Sequence, residues 1–560
     1  MTNLEVARML NRIAALLQLK DENPFKIRAY RNAARSIYHL EQELRLLYEQ
    51  NRLQEIPGVG KTVQAQIEEL MKTGSLAYYQ QLTAATPETV LDLLTVPGLG
   101  PKTVALIYSR LGIDNLADLQ AAAQAHMLRK LPGLGAKTEE AVLQGIALLK
   151  QGEGKISIGL ALPAAEKLVE YLRSCLPGAP VRIVGSLRRG KPLVSDADIL
   201  IASGDSDAVA EALAAYPGIE IKQEDRKHIG GYLPHRIPFE VIMAEPADFA
   251  LRLLWTTGSK AHRARIFAEH SPDEFPAFKD EKGIYESLQM AYIPAALRED
   301  RGEIEAARRQ NIPPLVKLQD IKGDLHVHSD WSDGAPSLME LFQAASARGY
   351  EYLAVTDHSH SLPVTGGLNP ERLRLQGKVI AELNHNKKGP HILSGIEVEI
   401  LKDGSLDLSD ADLEKLDVVI ASIHSHFKLD VEEQTERLLK VIANPHVDII
   451  GHLTGRLFNK RDAYDLDLER ILKAAAYHHK VLEINAHPDR LDIDEEVARR
   501  AVSLGIKIAI NSDAHHINEM DLLRYGILNA RRGWVQAADV INTWSLEQLL
   551  AYIRSGNLST

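Results

Sequence analysis

Gly323-Asp324-Leu325-His326-Val327-His328 decides the reading of this chain. Two histidines two residues apart at the end of an apolar strand face the same way and can chelate one ion. Similar phrases follow: Thr356-Asp357-His358, Gly395-Ile396-Glu397, Ser422-Ile423-His424, Gly451-His452 and Asn511-Ser512-Asp513-Ala514-His515. Fifteen of the 21 histidines lie after residue 314, so the clustering is not a feature of the whole chain. The phrases sit where short apolar runs end. These runs, at 352–355, 418–420, 447–450, 481–484 and 506–510, alternate with helical stretches. Such alternation predicts parallel βα units, most simply a barrel-like α/β domain whose functional groups collect at the strand ends. Imidazoles mixed with carboxylates suit Zn²⁺ or Mn²⁺. A multinuclear site of that kind is suited to hydrolysis.

Working outward, 560 residues exceed a single core and predict three or four domains. The lone Cys175 excludes an internal disulfide and a thiolate-based zinc site. No basic region precedes an apolar core in the first ten residues, and no run of about 18 uncharged apolar residues occurs. Neither a signal peptide nor a membrane span is expected, and the expected location is the cytoplasm. Net charge is −11, which argues against a generic nucleic-acid coat, but the charge is uneven. Residues 1–155 hold 18 Lys+Arg against 16 Asp+Glu, whereas residues 315–560 hold 27 against 37. Cations would neutralise part of the acidic, histidine-rich end. The first part is neutral enough to grip phosphates through local geometry.

That first part reads as helical, with Met9, Leu10, Ile13, Leu16 and Leu17 at helical spacing and a break at Asp21-Glu22-Asn23-Pro24. A three-fold repeat follows. Ile56-Pro57-Gly58-Val59-Gly60-Lys61-Thr62, Val96-Pro97-Gly98-Leu99-Gly100-Pro101-Lys102-Thr103 and Leu131-Pro132-Gly133-Leu134-Gly135-Ala136-Lys137-Thr138 share one pattern between helical runs. Paired glycines allow a tight turn, and the next helix opens with unpaired N–H groups aimed outward. With Lys61, Lys102 or Lys137 nearby, that is a phosphate seat. The repeat resembles the helix-hairpin-helix module, which grips DNA backbone without reading sequence.

From about residue 156 strands and helices alternate, with strands expected at 181–184, 199–201 and 239–243 and an irregular stretch at 271–314. Gly185-Ser186-Leu187-Arg188-Arg189-Gly190 can hold a triphosphate tail at a helix start, with Arg189 pairing to it. Asp196 and Asp198 lie two apart on an expected strand, so both face one way and can bridge two Mg²⁺ or Mn²⁺ ions for phosphoryl transfer.

With Glu22-Asn23-Pro24-Phe25-Lys26 through Arg35, the three hairpins, the Gly-Ser-x-Arg-Arg-Gly phrase, Thr257-Gly258-Ser259-Lys260 and the histidine phrases, the chain resembles a bacterial or archaeal family X DNA polymerase with a C-terminal PHP domain. The resemblance covers nearly the whole chain. It implies a multidomain protein: an all-α helix-hairpin-helix N-terminal region, an α+β nucleotidyltransferase-type palm, and a C-terminal α/β distorted TIM-like barrel. The implied order is a lyase-like domain (1–85), fingers (86–155), palm (156–258), thumb (259–312), linker (313–320) and PHP domain (321–560).

Gly185, Ser186, Arg189, Trp255, Gly258 and Ser259 would then bind nucleotide, and Asp196 and Asp198 the polymerase metals. The third carboxylate matches Glu240, where the family has Asp. Its extra methylene moves the carboxylate by about 1.5 Å, and misplacements near that size cost about 100-fold in rate. Trp255-Thr256 stands where the family has Tyr-Phe, which affects sugar selection, and Ser75 stands where relatives with lyase activity have Lys. In the PHP domain the resemblance implies three ions, Mn²⁺ or Zn²⁺. His326, His328, Glu397 and Asp513 would hold one; Glu397, His424 and His452 the second; Asp333, His358 and His515 the third. His360, His426, His487 and His516 are left over, and Arg456 and Arg490 could hold phosphate beside the scissile bond. The implied DNA contacts are Gly58, Gly60, Lys61, Gly98, Gly100, Lys102, Gly133, Gly135 and Lys137. The expected function is gap-filling polymerisation joined to 3′–5′ exonucleolysis, on gapped or primer-template DNA with dNTPs, by a monomer. The alternatives are a nuclease whose palm is only a DNA scaffold and, ranked lower, a small-molecule phosphatase.

Overall fold

A computed structural model describes the chain apart from residues 2, 39, 41, 97–98, 152–153, 226, 269–274, 363–364, 387 and 557–560. It divides into two compact units, Met1–Glu153 with Leu457–Ala463, and Gly154–Arg456 with Tyr464–Thr560. Among the described residues no helix is long and apolar enough to cross a membrane.

The first unit contains the expected helices. Leu10, Ile13, Leu16 and Leu17 of the helix Asn3–Leu19 are buried, as their spacing requires. Pro24 opens the next helix, Pro24–Tyr38, and the Asn23 side chain accepts from the Phe25 N–H at 2.9 Å. Helices Lys61–Thr73, Pro101–Leu111 and Ala136–Gln151 each begin directly after the second glycine of a repeat. The element before each turn is shorter than the pattern suggested: 3₁₀ turns at Leu53–Glu55 and Leu128–Lys130, and Val90–Leu93 in the middle copy.

The second unit begins with two sheets. β1 (Ile156–Ser157) pairs with β3 (Leu193–Val194). β2 (Val181–Ile183), β4 (Ala197–Ala202), β5 (Glu220–Glu224), β6 (His228–Leu233) and β7 (Ile237–Ala244) form a mixed sheet in the order β2-β4-β7-β6-β5. Only β4 and β7 run parallel, and their register sets Asp198 beside Glu240. Val184, Leu200, Ala244 and Leu253 form a small core beside this sheet. The stretch expected to be irregular instead carries helices at Glu281–Ser287 and Glu303–Arg308 around buried Ile284, Tyr285, Ile293 and Leu297. Its charged surface hid that apolar spacing.

The rest is a seven-stranded parallel barrel: β8 (Gly323–Val327), β9 (Tyr352–Val355), β10 (His391–Glu399), β11 (Val418–Ser422), β12 (Ile449–Ile450), β13 (Val481–Asn485) and β14 (Ile508–Asn511), paired in chain order. The His328 N–H donates to the Ala514 carbonyl at 2.8 Å and nearly closes the ring between β14 and β8. Alternation along the strands separates two cores. Leu325, Ala354, Ile420 and Ala509 share one with the C-terminal Leu549 and Ile553, while Val419, Ala421, Ile450 and Ile510 meet the surrounding helices. Ser337, Asp430, Asp467 and Asp494 cap the starts of four of those helices.

Candidate active sites

The barrel delivers its polar residues to one edge. His326 is on β8 and Glu397 on β10; His328, His358, His424, His452, Asp513 and His515 follow strand ends, and Asp333 lies in the loop after β8. All nine converge. Glu397 Oε1 lies 3.0 Å from His452 Nε2 and 3.3 Å from His424 Nε2. Its Oε2 lies 2.8 Å from His358 Nδ1, 3.5 Å from His326 Nε2 and 3.7 Å from His328 Nε2. Asp513 Oδ1 stands 3.1 Å from His328 Nε2, and Asp333 Oδ1 stands 3.4 Å from His515 Nε2. Among the described residues three groups have ligand atoms close enough together for an ion: His326, His328 and Asp513; His358, Glu397 and His424; and His328, Asp333, His358 and His515. The sets overlap more than the family pattern implied, because His328 and His358 each reach two.

Buried polar atoms normally find partners. Here His326 Nε2 and His328 Nδ1 are buried with no hydrogen-bond partner among the described residues. Cations fit that deficit. Burial pushes the His328 imidazolium down to about 4, and the neighbouring His515 and His358 add to it. Burial also works to lower His424, but Glu397 and Glu399 outweigh it and raise it to about 9. Against burial, which raises a carboxylate, His424, His358 and His326 hold Glu397 well below the usual range. Two of the nine take positive φ, 24° at His452 and 55° at Asp513.

The next layer of residues was missed in the sequence. Glu483 Oε1 accepts from His326 Nδ1 at 2.7 Å and from Asn511 Nδ2 at 2.9 Å, while its Oε2 accepts the His452 N–H at 2.8 Å. Glu399 accepts from His424 Nδ1 at 2.8 Å, and Asn485 Nδ2 donates to Asp513 Oδ2 at 2.9 Å. Such partners fix the tautomer that turns Nε2 to a metal. The available signal was spacing: Glu399 lies two beyond Glu397 on β10, and Glu483 and Asn485 lie two apart on β13.

Other sequence candidates have different roles. Asp324 and Asp357 are buried acceptors, for the Ser512 and Ser329 N–H groups respectively, and stay outside the ligand groups. Arg456 was expected at the phosphate; its Nε and Nη2 instead donate to the Arg490 carbonyl at 3.2 and 3.1 Å. That leaves Arg490, whose Nε lies 3.9 Å from Asp513 Oδ2 and whose Nη1 is buried without a partner among the described residues. Among the leftover histidines, His487 Nδ1 and His516 Nδ1 accept local backbone N–H groups, His360 Nδ1 lies 3.7 Å from Asp407, and His426 is exposed.

The mixed sheet builds a second site. Gly185, Ser186, Arg189, Asp198, Trp255, Gly258 and Ser259 line one cavity of about 830 Å³, together with the basic Lys227, Arg252, Lys260 and Arg263. Gly185 has φ +64°, and a Cβ there would stand 2.0 Å from Asp198 Oδ2, so no other residue fits. Asp196 is not on the strand, as the spacing argument supposed; it precedes β4 by one residue. The carboxylates are still neighbours. Burial first, then Asp196 and Glu240, push Asp198 up to about 7. Cations there would relieve that repulsion. Glu240 Oε1 lies 2.8 Å from His228 Nδ1. Arg189 is buried, with Nε donating to Glu299 at 2.9 Å and Nη1 to the Thr257 carbonyl at 2.8 Å. The Arg263 guanidinium sits 5.0 Å over the Trp255 ring, and Ser259 Oγ caps the helix Lys260–Ile266.

In the hairpins, Gly58 and Gly133 adopt φ +78°. Nothing lies within 4 Å of where a Cβ would stand at Gly60, Gly100 or Gly135, so their faces are open. Lys61, Lys102 and Lys137 are exposed beside them. Gly98 lies outside the described residues.

Comparison with known proteins agrees with this architecture. Residues 1–76 match the helix-hairpin-helix domain family, 90–147 the SAM-like helix-hairpin-helix tandem, and 324–487 the PHP domain. The DNA polymerase/3′-5′ exonuclease PolX of Bacillus subtilis (strain 168) is 35% identical over 98% of this chain and 99% of its own length. The chain belongs to the PolX family. A probable phosphatase of Thermoanaerobacter sp. (strain X514) is 34% identical but covers only 34% of this PolX-family chain, with 78% of its own length. One of Vibrio campbellii (strain ATCC BAA-1116) is 30% identical over 42% of this chain and 93% of its own.

Proposed function

We infer that this PolX-family chain is a DNA repair enzyme with two active sites: a template-directed gap-filling polymerase and a metal-dependent 3′–5′ exonuclease. The convergence of eight side chains in three ligand groups, with His452 against Glu397, on a chain that also holds a basic cavity lined by Asp198 with Asp196 and Glu240 nearby, carries this reading. We assign residues 1–85 and 86–155 to DNA binding as lyase-like domain and fingers, 156–258 to the palm, 259–312 to the thumb, 313–320 to a linker and 321–560 to the PHP domain. The substrates are gapped or primer-template DNA and dNTPs, and the enzyme works as a cytoplasmic monomer.

Divalent ions, three of Mn²⁺ or Zn²⁺ in the PHP cage and Mg²⁺ or Mn²⁺ in the palm, supply Lewis acidity and a nucleophile at neutral pH. The protein supplies position. His326, His328, Asp513 and Glu397 would hold one ion, Glu397, His424 and His452 a second, and Asp333, His358 and His515 the third. Arg490 Nη1 holds a phosphate oxygen of the DNA 3′ end. In the palm, Lys227, Arg252 and Lys260 draw the triphosphate into the cavity, Gly185 and Ser186 let it approach the backbone, and the three carboxylates gather the metals. The open glycine turns hold the DNA backbone on both sides of a gap.

A nuclease-only reading has one observation in its favour: Arg189 and Glu240 are already engaged, by Glu299 and His228. A small-molecule phosphatase would leave the hairpins and the palm cavity without a use. The test is Asp196→Asn on a gapped duplex. Extension is expected to fall at least about 100-fold while 3′–5′ degradation continues at its normal rate. Unchanged extension contradicts the polymerase assignment.

A further inference from the structure

The palm candidate Arg189 does not reach the barrel alone. Its partner Glu299 accepts two guanidiniums on one oxygen: Arg189 Nε at 2.9 Å and Arg532 Nη1 at 2.9 Å. Arg532 ends the barrel helix Leu523–Arg532. The same Nη1 also donates to the Arg189 carbonyl at 3.2 Å, and Nη2 donates to Glu495 at 2.6 Å. Arg301 approaches Glu495 at 3.4 Å, and Lys191 approaches Glu299 at 3.8 Å. The centre is nearly dry: side-chain exposure is 2% at Arg532 and 9% at both Glu299 and Arg189. Lys191, at 39%, and Arg301, at 36%, are the solvated members.

We propose that Arg532, a residue of the nuclease half, is a positioning residue for nucleotide binding in the palm, acting through Glu299 on Arg189. A triphosphate in the cavity must draw Arg189 away from Glu299. In a buried cluster that exchange is costly unless the carboxylate keeps another hydrogen-bonded cation. Arg532 is that cation. It divides the charge of Glu299 before nucleotide arrives, neutralises it afterwards, and holds the Arg189 backbone throughout. Without Arg532, Glu299 keeps Arg189 as its only buried counter-ion, and the nucleotide competes against a tighter pair.

This inference rests on the polymerase reading of the palm. Its test is the dissociation constant of the next correct dNTP, titrated with Mg²⁺ into the full-length enzyme on a gapped duplex with a phosphorothioate, dideoxy-terminated primer. Arg532→Leu is expected to weaken dNTP binding about tenfold, the worth of one hydrogen bond between charged groups. In single-nucleotide extension the KM should rise with kcat within about twofold, and 3′–5′ degradation should be unchanged. In a Glu299→Gln background the same replacement should change dNTP binding by less than about twofold, because the shared charge is gone. Should Arg532→Leu not fold, Arg532→Lys decides: it keeps the charge with a shorter reach, and an intermediate dissociation constant supports the assignment. Wild-type binding in either folded variant, or an equal loss with and without Glu299, overturns it. A wild-type enzyme that binds no dNTP at all overturns the polymerase reading and this inference together. A wild type that binds while Arg532→Leu binds equally well overturns only the inference.

Discussion

Replacing Glu483 with Gln isolates what the residues behind the metal cage contribute. Glu483 is fully buried and uses both oxygens: Oε1 takes His326 Nδ1 at 2.7 Å and Asn511 Nδ2 at 2.9 Å, and Oε2 takes the His452 N–H at 2.8 Å. Glutamine has one oxygen and one NH₂. If its oxygen stays with His326, the NH₂ faces the His452 N–H, donor against donor. If it turns around, His326 must accept at Nδ1, which moves the proton to Nε2 and blocks the ligand atom. Either arrangement leaves a buried donor without a partner, at a cost of about 1–3 kcal/mol. Losing such a support costs roughly 10–100-fold in metal affinity. The assay is degradation of a 5′-labelled primer across a Mn²⁺ titration. The half-saturating Mn²⁺ concentration should rise roughly 10–100-fold, the plateau rate should recover to within a few-fold, and extension by the same preparation should be normal. An unchanged Mn²⁺ dependence would refute the argument that Glu483 fixes the His326 tautomer.

The other predictions concern close contacts and charge. Gly159→Val places a Cβ 2.6 Å from Pro488 Cγ, in the loop that presents Arg490. Degradation should fall by about 10–100-fold, since displacements near 1 Å cost that much, and a gel showing extension falling equally would count against a local effect. Gly185→Ala would place its methyl 2.0 Å from Asp198 Oδ2 at a φ of +64°. Extension should be lost with degradation intact, and a variant that still extends at the normal rate would show that the palm tolerates a shifted Asp198. Lys61→Ala combined with Lys137→Ala should reduce the slope of log K against log salt for DNA binding by about 1–2, measured by anisotropy; an unchanged slope removes those lysines from the DNA surface.

The barrel was legible because two signals coincide. Apolar runs of four or five residues, buried at every position, leave little choice but parallel strands. A histidine or carboxylate just after such a run can only emerge at one edge. The helix starts after the glycine pairs were legible for a similar reason, since the first glycine takes a left-handed φ, +78° at Gly58 and Gly133, that other residues rarely adopt. Other features gave no local sign. β5 is polar and exposed at four of its five positions, and β6 contains Gly230-Gly231, so neither shows the alternation of a half-buried strand. The close approach of the Glu220 carbonyl, 1.9 Å from where a Gly231 Cβ would stand, explains the glycine only once the pairing is known. Glu483 and Glu399 sit inside apolar strands, where one carboxylate looks like any other until the histidine beside it is located. Arg456 and Arg490 are equivalent in sequence; backbone carbonyls engage the first, and the second faces Asp513. The link from Arg189 to Arg532 spans 343 positions and involves no motif.

The central claim is that two separate active sites act on one DNA 3′ end. The measurement that tests it most directly is a gel of a 5′-labelled primer on gapped DNA with Mn²⁺, with and without dNTPs, comparing wild type with Asp513→Ala. Asp513 faces His328 and His326 in the PHP cage, and the palm makes no use of it. The account predicts that wild type shortens the primer without dNTPs, and that Asp513→Ala does not shorten it but extends it when dNTPs are added. A wild type that only shortens and a variant that does nothing would contradict the account and leave a nuclease on a polymerase scaffold.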